Sequence, residues 1–165
     1  MHGCLRGALE GYRQIVFISG EPGIGKTALV DEFLREVAAK EPSLRVARGQ
    51  CVEGYGGTEA YYPMLEALGQ LCRAPEGNRV VEILAAQAPT WLVQFPALLN
   101  HEHRQALQQE ILGATRDRML REIREALDTL TSEAPLLLVL EDLQWVDSSP
   151  SISSQRLRAA AAQRG

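Results

Sequence analysis

The spacing of apolar residues changes several times along the chain, and each change predicts an element. Gln14-Ile-Val-Phe-Ile-Ser19 is a β-branched and aromatic run closed by Gly20, the pattern of a buried parallel strand. After a glycine-rich loop, Leu29, Val30, Phe33, Leu34 and Val37 recur at helical spacing, with Asp31, Glu32, Arg35 and Glu36 on the opposite face. This predicts a helix from about Lys26 to Ala39. Glu41-Pro42-Ser43 breaks it, and Leu44 to Cys51, with Leu44 and Val46 set against Arg45 and Arg48, reads as a second strand. Together they form one β-loop-α-β unit.

Gly54-Tyr-Gly-Gly57 is a flexible loop, and Pro63 suits the first turn of a helix carrying Met64, Leu65, Leu68 and Leu71. That helix is expected to end between Ala74 and Asn78. Val80 to Ala88 is a short helix closed by Pro89, and Trp91 to Leu99 is apolar but irregular, so this region reads as an all-helical insertion. Thr115 to Thr131 is the clearest helix of the second half, with Met119, Leu120, Ile123, Leu127 and Leu130 as its apolar stripe and Asp117 with Arg121 as an i, i+4 pair. Leu136-Leu-Leu-Val-Leu140 is too short for a helix and fits a central strand, and it ends in two acids. Strands alternating with helices imply an α/β fold with a mainly parallel sheet, whose ligands bind beyond the carboxyl ends of the strands. No internal repeat is visible, and Ser148 to Gly165 offers only Ile152 and Leu157 as large apolar residues, too few for a core face.

Composition narrows the class. Hydrophobic residues make up 45% and charged residues 23%, as in ordinary globular chains, which argues against disorder. The net charge is -4 and the basic residues are scattered, so this segment has no footprint for direct nucleic-acid contact. The longest apolar run, Leu136 to Leu140, falls far short of the roughly 20 residues that span a bilayer, so no membrane contact is expected. Met1 to Gly7 lacks the pattern of a secretory signal, which makes a cytoplasmic location the expectation. Cys4, Cys51 and Cys72 lack any C-x-x-C pairing and read as reduced thiols, and His101 and His103 read as surface histidines without further metal ligands nearby.

Two segments carry chemistry. Gly20-Glu21-Pro22-Gly23-Ile24-Gly25-Lys26-Thr27 fits G-x-x-x-x-G-K-[ST] between a predicted strand and a predicted helix, which is the context of a phosphate-binding P-loop. With Ala28 in the first helical turn, Gly20 to Ala28 is the candidate ATP-binding segment. Glycines let the loop turn its N–H groups toward phosphate oxygens, Lys26 bridges the β- and γ-phosphates, and the Thr27 hydroxyl coordinates Mg²⁺. The bland alternative is a glycine-rich turn that binds nothing. The second segment, Leu136 to Asp142, delivers carboxylates at the tip of an apolar strand in the manner of a Walker B element. Glu141 is placed to hold Mg²⁺ or its water shell, and Asp142 to orient and polarise the attacking water as the catalytic acid-base group. The alternative is that the two acids only end a strand and cap the next turn. Trp145 is read as a packing residue.

GEPGIGKTALVDEFL together with LLLVLEDLQWVD resembles the AAA-type P-loop ATPase domain of bacterial signal-transducing ATPases and large ATP-dependent transcriptional regulators. The likeness covers roughly Leu5 to Asp147, and ARGQCVEGYGGTEAYYPMLEALGQLCR and TWLVQFPALL resemble the helical segments such regulators carry between the two motifs. It implies a P-loop NTPase three-layer sandwich with a helical insertion, occupying residues 1–147 and incomplete at its C-terminus, followed by a divergent or disordered tail over 148–165. It also implies ATP and ADP as ligands, Mg²⁺ as cofactor, and a nucleotide switch in an oligomeric parent with separate output and sensor domains. Many relatives have Asp where Glu141 stands, so a water-mediated metal contact is the expectation there, and many have His in place of Gln144.

In that family the strand after Walker B inserts between the P-loop strand and the Walker B strand, and no candidate for it follows Asp147. A truncated or frame-disrupted reading frame, poorly stable in isolation, is the resulting expectation. Two rival functions stand beside an ATP-hydrolysing switch. One is a nucleotide-binding or interaction module without turnover. The other is a small-molecule kinase, disfavoured because the stretch from Glu59 to Leu99 holds only Arg73 and Arg79 for a lid. No guanine-specifying N-K-x-D stretch is present.

Overall fold

A computed structural model of the chain describes residues 1–51, 61–99 and 115–142. The loop at Gly54, the histidines His101 and His103, Gln144, Trp145 and the stretch 148–165 lie outside the described residues. In chain order the elements are α1 (His2–Leu9), α2 (Lys26–Lys40), β1 (Arg45–Gln50), α3 (Tyr62–Arg73), α4 (Gly77–Gln87), α5 (Pro89–Leu92), a 3₁₀ turn (Pro96–Leu98), α6 (Arg116–Glu133) and β2 (Leu136–Glu141). This is an α/β arrangement in which β1 and β2 pair in parallel, with Arg45 opposite Leu136 and Gln50 opposite Glu141. The ladder continues past both ends, since the Arg45 N–H donates to the Pro135 carbonyl (2.9 Å) and the Cys51 N–H to the Glu141 carbonyl (3.2 Å).

The core gathers on the helical insertion. Leu68, Leu84, Leu92, Leu130, Val80 and Trp91 are fully buried, and each buried leucine contributes about 1.5 to 3 kcal/mol. Leu136, Leu138 and Leu140 pack against this cluster from one face of β2. Trp91, expected in an irregular stretch, sits in the short helix α5, with its indole N–H donating to the Met119 carbonyl (2.9 Å) and its ring edge-on to Tyr61. Pro89 closes α4 and also starts α5. Buried Glu122 accepts from the Thr90 N–H (3.0 Å), the Thr90 hydroxyl (3.1 Å) and Arg118 Nε (2.7 Å), which satisfies a carboxylate that burial would otherwise penalise. The i, i+4 ion pair of α6 is therefore Arg118–Glu122, in place of the expected Asp117–Arg121. Thr115 caps α6 by accepting from the Arg118 N–H.

Three expectations are corrected. Gln14 to Ser19 is not a strand: the segment has no regular structure, and Ile15 (73% exposed) and Phe17 (64%) face outward. A strand needs a ladder, and β1 and β2 pair only with each other among the described residues. For the same reason β2 is half-buried along its length and is not yet a central strand. The buried positions of β1 are Ala47 and Gly49, whereas Val46 is 38% exposed. Gly49 has no room for a side chain, because a Cβ there would overlap the Pro63 carbonyl at the start of α3.

The outer edge of β1 is closed by α3. The Arg48 N–H donates to Gln70 Oε1 (2.9 Å) and the Gln50 N–H to Glu66 Oε2 (2.6 Å), so side chains one helical turn apart stand in for a neighbouring strand. The three cysteines are free; burial pushes the Cys72 thiol up to about 11. No helix among the described residues is long and apolar enough to cross a membrane.

Two outcomes are expected. Gly49→Ala should destabilise the chain by about 1 to 3 kcal/mol in urea unfolding, because the added methyl meets backbone; an unchanged midpoint would show that α3 yields freely. In amide hydrogen exchange, residues 15–18 should exchange far faster than Ala47 and Gly49, and equal protection would mean that the segment pairs in solution.

Candidate functional site

The loop Gly20–Gly25 and the first turn of α2 form one face of the site. Gly23 (φ 80°) and Gly25 (φ 95°) occupy the left-handed region that favours glycine, and Gly25 is the N-cap of α2 with no side chain capping it. The first-turn N–H groups of Lys26, Thr27 and Ala28 therefore look toward the loop. Lys26 Nζ donates to the carbonyls of Gly20 and Glu21, at 2.9 Å each, which holds the ammonium inside the curve of the loop. Glu21, Pro22 and Ile24 are exposed, and the Ile24 N–H closes a turn onto the Glu21 carbonyl.

The tip of β2 forms the opposing face. Thr27 Oγ1 donates to Glu141 Oε1 at 3.3 Å, joining residues 114 positions apart. The two residues predicted to serve a metal are thus adjacent. Glu141 Oε2 accepts from the Nε and Nη2 of Arg48, whose Nη1 donates to Asp31 Oδ1 (2.6 Å) on α2. Burial works against the Arg48 charge, but its bonds to Asp31 and Glu141 outweigh that and hold the guanidinium pKa above its usual value. Asp142 follows with φ 54°, a left-handed conformation that aspartate tolerates better than most residues. Gln50 Nε2 donates to Asp142 Oδ2 at 2.8 Å. Arg48 and Gln50, two apart on one strand and hence on one face, each hold one of the two acids.

Every candidate residue from Gly20 to Ala28, together with Glu141 and Asp142, lies among the described residues, and the strand tip meets the loop through Thr27. Sequence reasoning missed Arg48, Gln50 and Asp31. Arg48 and Gln50 showed only as polar residues in a strand that should be apolar, and Asp31 as one polar residue of α2; the signal becomes specific once the register of β1 against β2 is known.

No group of three or more His, Cys, Asp or Glu side chains among the described residues could hold a metal alone. Thr27 and Glu141 supply two oxygen donors, which fits Mg²⁺, an ion that takes one or two protein ligands and completes its shell with phosphate oxygens and water.

A glycine loop that curls around a lysine at a helix N-terminus, faced by strand-end carboxylates, defines a nucleotide-binding α/β domain. Comparison with known proteins makes this specific: residues 1–164 match the AAA ATPase domain, and the chain belongs to that family. It is 27% identical over 150 residues to the uncharacterized protein R02095 of Rhizobium meliloti (strain 1021), a match that covers 86% of this chain and 14% of that relative. The chain therefore spans about one seventh of the length of the curated relative it matches. No solved structure matches it significantly.

Proposed function

We propose that this domain binds ATP through Gly20–Ala28 and hydrolyses it as the nucleotide switch of a signalling or transcriptional regulator in the cytoplasm. The observation that supports this most directly is the contact between Thr27 and Glu141, which brings the two motifs into one site. Gly23 and Gly25 let backbone N–H groups approach the phosphates, and Lys26, already inside the loop, exchanges its carbonyl partners for β- and γ-phosphate oxygens. Thr27 and Glu141 would hold Mg²⁺, which supplies charge neutralisation to the phosphates when bound. Asp142, fixed by Gln50, orients a water toward the γ-phosphate and accepts its proton. On this reading the fold is a P-loop NTPase three-layer sandwich over 1–147, with the stretch 148–165 as a separate tail. The second reading, binding without turnover, is separated by Mg²⁺-dependent phosphate release.

Lys26→Ala is expected to weaken ATP binding by roughly tenfold to a hundredfold in calorimetry, the worth of a lost charge-assisted bond; equal affinity of variant and parent would refute the role. Asp142→Asn should leave ATP affinity within about twofold and lower phosphate release by about a hundredfold, because an amide cannot take the proton. Unchanged turnover would move the base elsewhere.

A further inference from the structure

Arg48 lies outside both motifs, yet it is bonded to the acid at the centre of the site. Its guanidinium sits between two carboxylates, gripping Glu141 Oε2 through Nε and Nη2 and Asp31 Oδ1 through Nη1. The two carboxylates differ in setting. The Glu141 side chain is 14% exposed and the Asp31 side chain 53%. With Thr27 on Oε1, both oxygens of Glu141 are engaged by the chain itself. A divalent cation arriving at that carboxylate meets a like charge already bound to it, and the two compete for the same lone pairs. Arg48 does not need to be expelled into solvent, because Asp31 already holds one of its nitrogens.

We propose that Arg48 is a positioning residue that aims Glu141 at Thr27 and competes with the divalent cation for its carboxylate, so that metal loading requires a hand-over of Arg48 from Glu141 to Asp31. This rests on the nucleotide reading above. It adds a charge-based gate supplied by β1 and α2, elements joined through Arg48 and Asp31. Two substitutions act on the gate in opposite directions. Arg48→Gln removes the competitor and frees Glu141. Asp31→Asn removes the hand-over acceptor and leaves Arg48 committed to Glu141.

The test titrates Mg²⁺ into the purified 165-residue chain with ATP and reads the half-saturating Mg²⁺ concentration by calorimetry, with circular dichroism as the check on folding. Arg48→Gln is expected to lower that concentration by about tenfold, the scale of one charge-assisted bond, and Asp31→Asn to raise it severalfold. A purely structural role would move both variants the same way. A folded Arg48→Gln chain that needs as much Mg²⁺ as the parent, or more, would overturn the proposal. If Arg48→Gln does not fold, Asp31→Asn decides: a raised requirement supports the gate, and an unchanged or lowered one removes it. A parent that binds no ATP with or without Mg²⁺ would sink the nucleotide reading itself, whereas a parent that binds ATP beside an unresponsive Arg48→Gln would sink the gate alone.

Discussion

The parallel ladder between β1 and β2 is the constraint on which the site depends. Its register sets Gln50 opposite Glu141, so two polar side chains of β1, Arg48 and Gln50, arrive beside Glu141 at the end of β2 and Asp142 just after it. A shift of one residue would turn Arg48 and Gln50 to the other face of the sheet, because side chains alternate along a strand. Both strands are locked against such a shift. Leu136, Leu138 and Leu140 are committed to the helical core, and Gly49 fits against Pro63 where no side chain could. The core therefore fixes the electrostatics of the site from a distance.

Backbone hydrogen bonding also sets a direction to the sheet. On the outer edge of β1 the N–H groups of Arg48 and Gln50 are taken by Gln70 and Glu66, one turn apart on α3, so that edge is finished. Among the described residues no strand lies on the other side of β2. The exposed run Ile15 to Ile18 leads directly into the glycine loop. Its composition suits a strand buried on both faces, and its exposure follows from the absence of a ladder partner among the described residues.

Much of this was legible in the sequence because local patterns carried it. The helix after the loop, β1, helices α3, α4 and α6 and the strand ending at the two acids fall within a few residues of expectation, since 3.6-residue periodicity and proline positions are local signals, whereas the short α5 was read as irregular. The glycine loop was equally plain, as its residue types are dictated by backbone geometry at Gly23 and Gly25. What failed was non-local. Ile15 to Ile18 reads as a strand by propensity, but propensity cannot provide a neighbour. The face of β1 was misassigned because burial there is decided by the closeness of α3, which selects Ala47 and Gly49 over Val46. Helix α1 went unread, consistent with a short element that buries no residue fully. Arg48 looked like an ordinary polar strand residue until the pairing was known.

The glutamate at position 141 gains a reason from the same geometry. The resemblance to AAA-type domains leads one to expect aspartate there, and the longer side chain alone suggested a looser link to a metal. In the structure the glutamate carboxylate spans outward from the tip of β2, one oxygen on the Thr27 hydroxyl at the start of α2 and the other on Arg48 of β1. An aspartate is shorter by one carbon–carbon bond, about 1.5 Å, and from the same backbone position it would forfeit one of those partners. Losing Thr27 would separate the loop from the strand tip, and losing Arg48 would leave a guanidinium bound to Asp31 alone. Reach and pairing are therefore coupled: the longer acid is matched by an arginine two residues before the end of the neighbouring strand, and each accounts for the other.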